Sequence, residues 1–252
     1  KNISSVYKTL ADEILPQLRR ARLTANYDVI GRSDEEINEA FDKDAKVLSN
    51  EELLYAATLT SDNARKEAIY KKTTELYPSD ARAYNNLGKM AYAAGDQAKA
   101  EGFFKQALSK NANSAEANTN LGLIELNKGN VANAENYLSK STGADAANEA
   151  LGNLYIKQGQ YDRAVNAFGD VKTNSAALAQ ILAKDYNKAK NTLAAVKNPD
   201  AYTDYLMAIV GARTNNADLV KSSMAKVAQK DAALAAKAQI DREFAKYANE
   251  IK

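Results

Sequence analysis

Apolar and small residues follow a helical spacing through most of this chain, broken at short intervals by polar turns. Between residues 81 and 110, Tyr84, Leu87, Gly88 and Ala91 fall on one helical face, and Ala100 and Phe104 on a second. The break between them, Gly95-Asp96, reads as a tight turn, so the stretch predicts two antiparallel helices. The first 31 residues follow another pattern. Ile3, Val6, Leu10 and Ile14 form a helical stripe that stops at Pro16. Leu23, Ala25, Tyr27 and Val29 then alternate with Thr24, Asn26 and Asp28, the period of a strand ending at Gly31. Ser33 or Asp34 starts a short helix over 34–43, with Glu35 and Glu36 suited to its first turn. Near the end, Ile240, Phe244, Tyr247 and Ile251 share a face over 231–251, which predicts a terminal helix covering the last apolar surface.

The helical hairpin recurs. A shift of 34 residues lays Leu87-Gly88 on Leu121-Gly122, Gly95-Asp96 on Gly129-Asn130, and Ala100 on Ala134. This period and these positions resemble the tetratricopeptide repeat (TPR) family, whose unit is a pair of antiparallel helices. The resemblance covers 47–229 and is most specific over 81–114 and 115–144. A further copy starts near Asp145 with Leu151-Gly152, Tyr155, Gly159, Ala164 and Phe168, 30 residues after the preceding start. The helix over 131–142 must therefore be about one turn shorter. A weaker copy carries Tyr186, Ala189 and Leu193, and Pro199-Asp200 opens a longer helix to Arg213, with a turn at Asn215-Asn216. A degenerate copy from Val47 places Leu53, Ser61-Asp62, Tyr70 and Pro78 in frame, as end repeats do. The expected fold is all-α, a right-handed superhelical TPR solenoid of about five repeats. In chain order it comprises an N-terminal helix-strand remnant over 1–31, a connecting helix over 32–46, the array over 47–229 and a capping helix over 230–252.

Within each repeat the motif residues are packing residues. Gly88, Gly122 and Gly152 let the paired helix approach, Gly95, Gly129 and Gly159 serve the turn, and Tyr84, Phe104, Tyr155 and Phe168 fill the gaps. GDQAKAEG and GNVANAEN have neither the spacing nor the Lys-Ser/Thr end of a phosphate loop.

Composition narrows the chemistry. The 252 residues include no His and no Cys, so imidazole bases, His-containing triads, disulfides and thiolate metal sites are excluded from this chain. Carboxylate groups such as Asp34/Glu35/Glu36 and Glu51/Glu52 sit at helix starts, where the helix dipole accounts for them. The expectation is a chain that is not an enzyme and takes no cofactor. A net charge of +2 gives no field that would draw nucleic acid, and no apolar run is long enough to insert in a membrane.

The stretch LRRARLTANYDVIG and the helix before it resemble the last helix and strand of an OmpA-like peptidoglycan-associated domain, in which an Arg pair, here Arg19-Arg20, opens the final strand. That resemblance implies a C-terminal arm of an envelope protein, periplasmic and associated with the outer membrane. It reaches peptidoglycan only through an upstream domain, because the family's peptidoglycan-binding Asp and Arg precede this stretch. KNISSVYKTLADE lacks the apolar core of a signal peptide and reads as the middle of a longer protein. The lone strand over 22–29 opens the alternative of a strand-exchanged homodimer.

If positions 4, 7, 8 and 11 of each first helix face inward, positions 2, 5, 9, 12 and 13 line a concave groove with position 6 at its margin, and its candidates are Arg82, Asn85, Asn86, Lys89, Asn120, Leu123, Asn127, Asn153 and Lys157. Asparagine amides both donate and accept, so such a row can hold an extended peptide backbone. Some TPR proteins clamp a C-terminal carboxylate on this face, and Lys89, Asn86 and Asn120 partly match that set, while Glu116 and Glu149 depart from it. The function expected is a protein-interaction scaffold binding a protein or peptide. A spacer or oligomerisation module of the envelope, or a cytoplasmic adaptor, are the alternatives.

Overall fold

The computed structural model describes residues 3–14 and 31–251. The predicted strand over 22–29, the Arg19-Arg20 pair and the strand-exchange interface all lie outside the described residues. Every described element is helical. Helix α1 (Ile3–Thr9) runs into a wider turn, Leu10–Ile14. Helix α2 (Asp34–Asp44) begins at Ser33, whose hydroxyl accepts from the Glu36 N–H while the Glu36 carboxylate takes the Ser33 N–H, a reciprocal cap.

Six hairpins follow where the sequence counts about five. They are α3 (Asn50–Ala56) with α4 (Asn63–Leu76), α5 (Ala81–Ala93) with α6 (Gln97–Lys110), and α7 (Ala115–Asn127) with α8 (Val131–Leu138). Then come α9 (Ala147–Lys157) with α10 (Tyr161–Phe168), α11 (Asn174–Leu182) with α12 (Tyr186–Ala194), and α13 (Ala201–Arg213) with α14 (Ala217–Lys230). The later pairs blur the count because Ala177 and Ala208, both fully buried, replace the helix-contact glycine. As the 30-residue spacing requires, α8 is short, 8 residues against 14 in α6.

Two local devices build each hairpin. The first is close helix approach. A Cβ on Gly88 would stand 2.5 Å from the Phe104 ring, and one on Gly122 or Gly152 would meet Leu138 or Phe168 as closely. The second is the turn. From α5/α6 to α13/α14 the N-cap N–H of the second helix bonds back to a carbonyl five residues earlier, as in Asp96 to Ala91 (2.9 Å) and Asp185 to Gln180 (2.8 Å). That bond requires a left-handed residue just before the cap. Gly95 supplies it at φ 82°, but Lys184 takes the same place at φ 65°.

From α5 onward the first helices of successive hairpins touch one another, which puts them on the inner, concave side of the array. Apolar clusters run between consecutive hairpins from α6/α7 onward, for example Ala164, Phe168, Ala176 and Ala179. The cluster of the first hairpin (Ile37, Leu48, Leu53, Ile69) closes on itself and on α2 instead.

The terminal cover departs from a single helix. Helix α15 (Ala232–Ala238) ends, and a 3₁₀ turn over Arg242–Tyr247 follows. Asp241 caps that turn through the Glu243 N–H and also accepts from the Tyr205 hydroxyl, which fixes the break. Phe244 and Tyr247 are buried against α13 and α14, whereas Ile240, expected on the same face, is 86% exposed.

Candidate functional site

The concave row is partly a set of cross-repeat bonds. Asn85 is buried, and its Oδ1 accepts from Asn120 Nδ2 at 2.9 Å. Two turns on, Asn127 Nδ2 donates to the Tyr92 hydroxyl at 2.9 Å, with Asn127 exposed and Tyr92 46% exposed. These two rungs join α5 to α7 along one stripe. Asn153 donates to the Glu149 carbonyl within α9 at 3.0 Å. Leu123 packs with Val131 and Leu151 on the cluster around Leu138 and Leu154, and so serves the core. Lys157 is exposed.

Arg82 stands elsewhere in the electrostatics. Its guanidinium grips Asp80 and Glu51, each at 2.6 Å, tying α5 to the start of α3. The hydrogen bond from Arg82 holds both carboxyls below the ordinary range, and the same two carboxylates push the arginine higher. Asp80 also accepts from Asn50 Nδ2 at 2.6 Å. Arg82 is therefore occupied within the chain.

Asn86 and Lys89 face a different place. They line a cleft of about 800 Å³ between the first and second hairpins, which Asn120 does not reach. The carboxylate-clamp residues are thus split between two surfaces. The cleft exists because α3 stops at Ala56, while α5 continues for 13 residues. Thr58 to Asp62 form a loop without the turn bond of the other hairpins. Lys66 stands where Ala100 and Ala134 sit in the next two copies. The sequence carried that signal, a long cation at a place for a small residue beside Thr58 and Thr60, but not its consequence.

Glu125 is a second feature the sequence does not single out. It is 7% exposed, and its carboxylate accepts from Lys128 (3.1 Å), Asn130 (3.0 Å) and Asn133 (3.1 Å). Burial works against its charge, but these donors outweigh it and hold the carboxyl below the usual glutamate range. Asn130 spends its side chain here and leaves its own helix without a side-chain cap. The group locks the α7/α8 hairpin rather than facing solvent. Among the described residues no three His, Cys, Asp or Glu side chains come together to hold a metal, and no helix is long and apolar enough to cross a membrane.

Three tetratricopeptide-repeat family models match the chain in succession, over residues 62–115, 115–148 and 147–171. Residues 62–171 are tetratricopeptide repeats. The TPR fold extends further along the chain in comparisons with solved structures. The pilF protein of Pseudomonas aeruginosa matches with a TM-score of 0.58 and 15% identity, over 85% of this chain and 99% of its own. PilW, described as a widely conserved type IV pilus biogenesis factor, matches with a TM-score of 0.54 and 18% identity, over 83% and 94%. A chain of the Cut9–Hcn1 hetero-tetramer of the APC/C reaches 0.64 at 15% identity, over 78% of this chain, which spans 42% of that larger one. At these identities the likeness is one of fold. No curated protein sequence matches this chain.

Proposed function

We propose that this chain is a non-catalytic scaffold whose TPR array holds an extended segment of a protein partner along its concave face. The observation that carries the reading is the Tyr92–Asn127 rung. It leaves an aromatic hydroxyl, a side-chain amide and, one repeat further, the Lys157 ammonium exposed on one stripe of first helices. Asn85 and Asn120 fix the spacing of that stripe from beneath, and Asn153 flanks it. Backbone peptide groups of an extended ligand are the chemistry such a row matches. We place the array in the periplasm at the outer membrane, as the arm of an OmpA-like protein, on the strength of the resemblance of residues 1–31 alone.

The test is a pull-down from detergent-solubilised envelope with wild type beside Asn127→Glu/Lys157→Glu. Both side chains are exposed, so the variant should keep its melting temperature and lose a band that wild type retains. Identical lanes would remove the concave face from the reading and leave a spacer.

A further inference from the structure

We propose that the cleft between the first and second hairpins is a separate docking site, for an acidic peptide segment that inserts one bulky apolar side chain. Elsewhere from α6 onward apolar clusters bridge consecutive hairpins. Here no such cluster spans the two hairpins among the described residues, and polar side-chain links join them, Asn50 with Asp80, Arg82 with Glu51, and Lys99 with Glu67. Between those links an opening of about 800 Å³ remains, with Met90 and Tyr70 on its walls and alanines between them. Alanines leave the volume, and the thioether and phenol ring give it apolar walls that adapt to a guest.

Charge at the cleft selects the partner. Lys66, Lys89 and Lys99 line it against a single carboxylate, Glu67. That carboxylate is already shared between Lys71 at 2.9 Å and Lys99 at 3.4 Å, and the two ammonium groups, Lys71 first, hold its pKa down. Lys66 and Lys89 have no carboxylate partner among the described residues. Two unpaired cations beside an apolar opening match a peptide with carboxylates flanking a large apolar residue. The site does not depend on the concave-face reading, since Lys66, Tyr70 and Met90 belong to the cleft and not to the stripe of Tyr92 and Asn127.

The chain contains no Trp, so a ligand's indole can report its own burial. The probe is a short acidic peptide with one central Trp, titrated with the full chain at low and at physiological salt. Wild type should bind saturably with a blue shift of the indole emission, and Lys66→Glu/Lys89→Glu should weaken binding about tenfold or more while gaining affinity for a basic peptide with the same Trp. Lys221→Glu/Lys226→Glu, an equal charge change on α14, and Asn127→Glu/Lys157→Glu should both leave the affinity unchanged. Circular dichroism melts check that each variant is folded. Absence of wild-type binding would overturn the proposal. So would binding insensitive to Lys66 and Lys89, binding lost with the concave-face pair, or binding in which the Trp emission stays that of water.

Discussion

Gly88 and Gly102 lie on the two helices of one hairpin, and the same substitution should move stability in opposite directions. In a helix interior Ala is better than Gly by about 1 kcal/mol, through backbone entropy. Gly102 is exposed on α6 with nothing within 4 Å of an added Cβ, so Gly102→Ala should collect that gain. Gly88→Ala would put its methyl 2.5 and 2.6 Å from two carbons of the Phe104 ring. Ordinary carbon contacts lie at about 3.5–4.0 Å, so α5 and α6 must part by about 1 Å or the ring must turn. The ring is 2% exposed and packed against Ala91, Ala100, Leu121 and Ile124, which leaves it little room to turn. Overpacking of this kind costs about 1–3 kcal/mol, enough to cancel the entropic gain and leave a net loss of up to about 2 kcal/mol. Thermal melts followed by circular dichroism would resolve it, since about 1 kcal/mol moves the midpoint by about 2–4 °C in a chain of this size class. Phe104→Ala combined with Gly88→Ala should cost less than the sum of the two, because removing the ring removes the clash. If Gly88→Ala melts as high as Gly102→Ala, or if the pair is additive, the close-approach account is wrong.

Two further outcomes are expected. Lys184 holds the left-handed turn position at φ 65°, so Lys184→Gly should raise stability by up to about 1 kcal/mol, and more than Asn215→Gly, because Asn tolerates φ 55° better; a reversed order in the melts would refute this. Glu125 titrates in the unfolded chain near 4.5 and lower in the folded one, so the unfolded state binds the extra proton as pH falls. Its contribution is fully present above about pH 4.5 and is lost below. Glu125→Gln should cost about 1–3 kcal/mol at neutral pH, by leaving buried donors unmatched, and should flatten the acid limb of the stability curve. An acid limb parallel to wild type would exclude Glu125 as its source.

Much of the repeat unit is legible in the sequence, because its determinants act within one hairpin. The turns at Gly95, Gly129 and Gly159, the close approaches at Gly88, Gly122 and Gly152, and the shortened α8 all follow from spacing along some thirty residues. The hairpin count was blurred at Ala177 and Ala208, where alanine does the work of glycine. The surfaces were less legible. Asn85, Asn86 and Lys89 all belong to the groove set read from the sequence, yet one is buried in a rung to Asn120 and the other two face the cleft. Arg82 looked free and is held by Glu51, 31 residues away.

The sequence alone therefore determined the element, a helical hairpin stacked many times, since helix period, caps and small-residue contacts are set by neighbours along the chain. Tertiary structure decided which side chains remain for a partner. Contacts between repeats depend on the superhelical path, and that path sums every helix length, including the early stop of α3 at Ala56 that opens the cleft and the Asp241–Tyr205 bond that breaks the terminal cover.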